Sequence, residues 1–225
     1  QVCCMELSGS LFHPAWQWLF AGLFFSTLWF ALRWADWARL KKKQQQHVFF
    51  GAMVCLFFLW NMRVEMLPGF FWHLSGMVTV TLMFGWSLAI VGGSVVLLGI
   101  VVAGLNDWGG YLPSAILCVI MPATLTQIML GLVRAYAPKH FFVYVLVNAF
   151  LAGGLVFVIM SGLIVGGLLL MGAHPWGDLQ HSFLNMTPMM LFPESMLNGW
   201  ITAMLVGFKP HWVGSFSDEE YIQGK

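Results

Sequence analysis

Charge is what this chain has least of. Of its 225 residues, ten are Lys or Arg and nine are Asp or Glu, 8% in total, with a net charge of +1. That balance argues against nucleic-acid binding, which needs a basic stripe. It also excludes an ordinary water-soluble exterior, because soluble domains are about 25% charged. Cysteine is scarce too, and Cys55 and Cys118 fall inside apolar segments, so the four cysteines make no disulfide framework. There is no G-x-x-x-x-G-K-[S/T] phosphate loop, so ATP hydrolysis would have to come from another chain. There is no C-x-x-C or H-E-x-x-H, no paired carboxylates, no nucleophile–base arrangement and no haem histidine pair at helical spacing; the chain reads as a non-enzyme. The amino terminus lacks the basic start and cleavage site of a signal peptide. It opens on Gln rather than Met, which points to a start upstream or to processing.

What is abundant is apolar. Hydrophobic residues make up 60% of the chain, and the mean hydropathy is +0.81. Runs such as 91–105 and 141–171 have no place in a single soluble core of this size. They suit membrane lipid, where one span needs about 20 apolar residues.

The expected fold is all-α, a polytopic bundle of about seven transmembrane helices, over residues 14–32, 47–61, 70–85, 86–104, 112–133, 141–172 and 183–207. Residues 70–104 decide the count. As one helix they would run about 50 Å, beyond a hydrocarbon core of about 30 Å. As two helices broken near Gly85-Trp86, they place Arg33, Arg39, Lys41, Lys42, Lys43, Arg134, Lys139, Lys209 and Lys225 on one side and Arg63 alone on the other. Cytoplasmic loops are rich in Lys and Arg. The expectation is therefore N-terminus outside and C-terminus cytoplasmic. The chain forms one integral membrane domain, 1–225, with an external segment 1–13, a bundle 14–207 and a cytoplasmic tail 208–225. Residues 141–172 are overlong: either one tilted helix, or two broken at Gly153-Gly154 or Gly166-Gly167. Gly162 and Gly166 form a G-x-x-x-G pattern that suits close helix approach.

This topology sorts the histidines. His47, His140 and His211 fall at the cytoplasmic boundary; His13, His73, His174 and His181 fall outside. His73, in Pro68-Gly-Phe-Phe-Trp-His73-Leu-Ser-Gly76, opens the third span, where an imidazole needs a partner. It reads as a satisfied interfacial residue or as a ligand. The amino-terminal stretch Cys3-Cys4-Met5-Glu6, with His13 beyond it, adds sulfur, carboxylate and imidazole. Imidazole suits nickel, cobalt, copper and zinc, and sulfur favours softer ions such as Cu(I). Within the spans the polar exceptions are Glu194, Asn198, Asn148 and Ser114. A carboxylate at that depth must be paired, protonated or facing a polar cavity. Glu194 reads as an interhelical hydrogen bond to a partner such as Asn148, or as the lining of a transport path. Asp107 reads as a solvated loop residue.

These residues together resemble a known family. Met5-Glu-Leu-Ser-Gly-Ser-Leu-Phe-His13-Pro14-Ala-Trp16 is similar to Met-His-Ile-Pro-Asp-Gly-Phe-Leu-Ser-Pro-x-x-Trp, the opening of the permeases of energy-coupling-factor cobalt and nickel transporters. The His73 segment resembles that family's Gly-Gly-Thr-x-Gly-His-Leu-x-Gly, and Phe84-Gly85-Trp86 its Gly-Pro-Trp. The segments from Pro138 to Phe150, from Phe192 to Gly199 and from Lys209 to Phe216 are similar to a divergent bacterial branch.

The resemblance implies that the terminal amine, a second-position histidine and the third-span histidine hold the ion externally. Here His73 keeps its place, Glu6 replaces the second histidine, and residues 1–4 displace the amine. Ser114 stands where the family has an asparagine. The implied function is the substrate-binding subunit of an uptake transporter in the bacterial inner membrane. Its substrate would be cobalt or nickel, or copper if Cys3 or Cys4 joins, and separate ATPase and transmembrane coupling subunits would drive it. The alternative is a non-transporting subunit of a larger membrane complex that keeps the permease fold.

Overall fold

The computed structural model describes residues 14–67, 70–170, 172 and 175–221. Its main elements are α1 (Pro14–Trp34), α2 (Lys43–Asn61), β1 (Val64–Leu67), β2 (Phe70–Trp72), α3 (Met77–Phe84), α4 (Trp86–Val102), α5 (Trp108–Tyr136), α6 (Phe141–Leu170) and α7 (Thr187–Phe208). Short helical turns fill the connections. Helices α5 and α6 are long and apolar enough, by length and composition, to cross a membrane.

The expected helical bundle holds, with one small addition: β1 and β2 pair as a short antiparallel hairpin. One expectation is corrected: the third span is not a membrane-length helix. Residues 70–76 are strand and loop, and α3 has eight residues, about 12 Å of helix. Phe70-Phe-Trp72 is apolar in either conformation, so its hydropathy could not separate strand from helix.

Proline explains an irregular stretch of α5. Pro113 has no N–H for the Gly109 carbonyl four residues back, and Gln17 Nε2 of α1 donates to that oxygen instead at 3.0 Å. A π-helical segment, Ala115–Ile120, then separates Pro113 from Pro122. Helix α6 is one continuous helix of 30 residues with its own π segment, Tyr144–Leu151. Its glycine pairs do not break it. A Cβ on Gly153 would meet Asn198 Cβ at 3.2 Å, and one on Gly154 would meet Ser195 Oγ at 2.5 Å, so this pair lets α7 lie close. The G-x-x-x-G pattern does not serve that purpose, since nothing stands within 4 Å of a Cβ on Gly162 or Gly166.

Side-chain contacts fix the helix directions. Phe49 and Met53 of α2 face Gly92 of α4, Phe57 faces Gly99, and Arg63 donates to the Leu105 carbonyl at 3.3 Å. Helices α2 and α4 therefore run parallel. The chain must reverse between them, and it does so at Gly85, with φ 81° and ψ 165°. Few residues other than glycine adopt that conformation. Helix α3 descends beside α7, with Thr79 at the level of Asn198. Helix α5 descends from Gly109, beside α1, to Arg134, which donates to the Ser215 carbonyl at 2.7 Å.

Arg33, Arg39, Lys41, Lys42, Lys43, Arg134, Lys139 and Lys209 consequently gather at one end of the bundle, and Arg63 stands at the other. Lys225 lies outside the described residues. At the basic end the segment after α7 seals the foot of α3. The backbone N–H groups of Gly214 and Ser215 donate to the Met83 and Leu82 carbonyls at 2.8 and 3.1 Å, and Arg39 bonds Met83 and Trp212 carbonyls at 2.7 and 2.9 Å. Burial lowers the Arg39 pKa from its ordinary value, and Asp36 raises it again.

The exterior is inverted relative to a soluble protein. Trp18, Phe25, Trp29, Leu170 and Phe208 are exposed, whereas Thr79, Asn148, Glu194 and Asn198 are buried. An apolar surface over a polar interior is the arrangement lipid favours.

Candidate functional site

The site is built on a four-residue loop, 73–76, between the hairpin and α3. His73 follows β2 and is buried. The Trp60 ring, near the end of α2, stacks on it with centroids 5.4 Å apart at 26°. Trp60 Nε1 also donates to the Ser75 carbonyl at 2.9 Å. The loop ends at Gly76, whose φ of 64° opens α3.

His73 Nδ1 bonds the Leu74 carbonyl. A carbonyl only accepts, so Nδ1 carries the proton. In the neutral ring Nε2 then holds the lone pair, and Nε2 is buried without a hydrogen-bond partner. A ring fixed through one nitrogen with its other lone pair free is the usual arrangement of a metal-ligating histidine.

Glu194 of α7 holds the loop from the other side. Its carboxylate accepts the backbone N–H of Ser75 at 2.7 Å and of Gly76 at 3.3 Å. Asn198, one turn along α7, donates to Glu194 Oε1 at 2.8 Å and to the Glu194 carbonyl at 2.9 Å. Asn198 Oδ1 in turn accepts the Thr79 N–H and hydroxyl, each at 3.0 Å. The Thr79 hydroxyl also reaches Thr202 at 3.4 Å. The chain Ser75–Glu194–Asn198–Thr79 ties the His73 loop and the first turn of α3 to one face of α7.

The expected Glu194–Asn148 bond is absent. Both amide atoms of Asn148, in the π segment of α6, are buried without a partner, while Glu194 spends its oxygens on backbone amides and Asn198. Ser114 is buried on α5, and its hydroxyl has no partner. Cys3, Cys4, Met5, Glu6 and His13 lie outside the described residues, as does His174. Among the described residues no group of three or more His, Cys, Asp or Glu could hold a metal ion. At the basic end, His140 Nδ1 accepts the Phe142 N–H at 3.2 Å as the cap of α6, and His211 meets Gln44 at 3.3 Å. His181 is exposed.

Trp60, Ser75, Thr79 and Thr202 did not stand out in the sequence. Trp60 and Thr202 are ordinary apolar-segment residues, and Ser75 acts through its backbone. The Glu194–Asn198 spacing of four was the one available signal, since residues i and i+4 share a helix face.

A family model described as the cobalt uptake substrate-specific transmembrane region, CbiM, matches residues 7–212. No curated protein and no solved structure matches the chain.

Proposed function

Because the chain belongs to the CbiM family of cobalt-uptake transmembrane regions, we propose that it is the substrate-binding membrane subunit of an energy-coupling-factor-type uptake transporter. It sits as a single multi-pass domain in the bacterial inner membrane, N-terminus outside and tail in the cytoplasm, the third of its seven crossings made by the 73–76 loop and the short α3 together. The basic end faces the cytoplasm, following the bias of Lys and Arg. The His73 loop then faces outward beneath the amino-terminal segment.

The observation that carries this reading is His73 Nε2, a buried nitrogen without a partner in a ring already fixed through Nδ1. Met5, Glu6 and His13, with Cys3 or Cys4, complete the coordination when the amino-terminal segment closes over the loop. Imidazole with carboxylate accepts cobalt or nickel, and the sulfurs extend the range to copper. Docked ATPase and transmembrane coupling subunits supply the energy.

The test is the metal content of purified protein after equilibration with Co²⁺, Ni²⁺ or Cu²⁺. The expected result is about one ion per chain in the wild type and loss of that ion in His73→Ala. Near-zero content in both proteins would overturn the uptake reading in favour of a non-transporting subunit of a membrane complex.

A further inference from the structure

Two cavities that adjoin at the basic end differ in chemistry. The first is an apolar groove of about 590 Å³ with α3 as its floor and α2 and α7 as its walls. Gly51, Ala52 and Cys55 of α2 keep it open with small side chains, and Val80, Ile201 and Leu205 line the opposite side. The second is a polar cavity of about 480 Å³ lined by Arg39, Lys42, Gln45, His211 and Asp36. The two meet where Gln44 contacts His211 at 3.3 Å and Gln45 donates to the His211 carbonyl at 3.0 Å.

The polar cavity carries two cations against one carboxylate. Arg39 directs its side-chain hydrogen bonds to Gln45, Met83 and Trp212, all uncharged acceptors. Asp36 takes the backbone N–H of Arg39 at 3.2 Å. Lys41 and Lys43 flank the cavity in sequence. The cavity therefore favours an anion. The groove beside it runs along α2 from Gln44 to Leu59, about 22 Å at 1.5 Å per residue. That exceeds the roughly 15 Å of one leaflet's hydrocarbon.

We propose that this pair of cavities binds one anionic phospholipid, with an acyl chain in the α2–α3–α7 groove and the phosphate beside Lys42. Charge favours lipid over a partner helix, because the apolar groove adjoins a cavity lined by Arg39 and Lys42, an arrangement that suits an acyl chain joined to an anionic headgroup. Basic pockets between membrane helices are known to take anionic headgroups. The site goes beyond the uptake reading: its groove reaches Gly76 and Thr79 at the far end, but His73 is not among its lining residues.

The experiment titrates delipidated, detergent-solubilised protein with phosphatidylglycerol, with phosphatidylcholine of the same acyl chains, and with inorganic phosphate. Phosphatidylglycerol is expected to raise the unfolding midpoint by about 5 °C, with one lipid retained in native mass spectrometry. Phosphatidylcholine is expected to give a smaller rise and phosphate none. Lys42→Glu should erase the preference for phosphatidylglycerol, and Ala52→Trp, which fills the groove, should erase both lipid effects. Leu155→Trp is the control. It blocks a second apolar groove, between α5, α6 and α7, which has no cation in its lining, and it should leave the effect intact. Equal shifts from the two lipids, a shift from phosphate alone, or a phosphatidylglycerol effect that survives Lys42→Glu would each overturn the proposal. Metal content measured on the same samples keeps the two readings apart, because loss of the lipid effect leaves the His73 test untouched.

Discussion

Glu194 Oε2 lies 2.7 Å from the backbone nitrogen of Ser75, so a carboxylate on the last long helix fixes a loop 119 residues earlier in the chain. The bond is made to backbone, and the adjacent Gly76 N–H and the Asn198 amide complete it. The loop's conformation, and with it the direction of the His73 ring, is set by α7 on one side and by Trp60 on the other.

Removing that carboxylate should cost stability and geometry together. Glu194→Ala leaves the Ser75 and Gly76 amides without an acceptor in a buried site and takes away one of the two acceptors of the Asn198 amide, which keeps the carbonyl of residue 194. Unmet buried donors cost about 1–3 kcal/mol each, so a total of about 3 kcal/mol is expected, or roughly a 10 °C fall in Tm for a chain of this size. His73→Ala removes one side chain that no other side chain hydrogen-bonds and should shift Tm by less than half as much. Both variants should lose metal. Thermal unfolding in detergent with metal analysis on the same samples separates them. A Glu194→Ala protein with wild-type metal content would show that the loop holds its shape without α7.

Gly85 should tolerate no side chain. Nothing lies within 4 Å of a Cβ placed there, so the penalty is purely conformational, arising from φ 81° and ψ 165°. Gly85→Ala is expected to destabilise by about 1–3 kcal/mol. Gly131→Ala, equally uncrowded but inside α5, should be neutral or stabilising by up to about 1 kcal/mol. Comparing the two midpoints in thermal unfolding checks this. Equal behaviour would mean that the α3–α4 reversal does not depend on the left-handed backbone.

The reversal at Gly85 was legible in the sequence because length enforced it. About 50 Å of apolar helix cannot sit in a core of about 30 Å, and the uneven Lys and Arg distribution chose the break. The gathering of cations at one end followed from the same reading. The hairpin was not legible. Phe70-Phe-Trp72 carries no period that separates a strand from a helix turn, and β1 with its Glu65 sits just after α2, where a loop was expected. Glu194 stood out as a buried carboxylate, yet its partners could not be read, because the donors at Ser75 and Gly76 are backbone amides that every residue except proline possesses. Asn148 attracted the pairing expectation as the nearest polar side chain in composition, whereas α7 meets α6 there through Gly153, Gly154 and Gly199. Residue type located the polar positions; the packing of α6 on α7 decided which of them met.

The seal at the basic end depends on Gly214. A Cβ there would stand 2.1 Å from Arg39 Nη1 and 3.0 Å from the Met83 carbonyl. Arg39 would have to leave its bonds to Met83 and Trp212, or the segment after α7 would have to lift away. Gly214→Ala is therefore expected to expose the chain after Lys209 and to speed chymotryptic cleavage after Trp212 and Phe216 several-fold, with a fall of about 1–3 kcal/mol in stability. Limited proteolysis followed by mass spectrometry reads the first effect. Unchanged cleavage would show that the tail is held by the Ser215 contacts alone.

The membrane orientation has its own test, in single cysteines placed at the two ends of α2. Lys42 precedes the helix and Arg63 follows it, so the 19-residue helix separates them by about 28 Å, close to one hydrocarbon thickness. In a background with Cys3, Cys4, Cys55 and Cys118 replaced by Ser or Ala, Arg63→Cys should react with an impermeant maleimide on intact cells. Lys42→Cys should react only after permeabilisation. The reverse pattern would place the His73 loop on the cytoplasmic side, where capture of an incoming ion has no meaning. Labelling of both positions from one side would mean that α2 does not cross at all. The second outcome would be the harder one to accommodate, because the parallel course of α2 and α4 and the reversal at Gly85 both require α2 to run from one end of the bundle to the other.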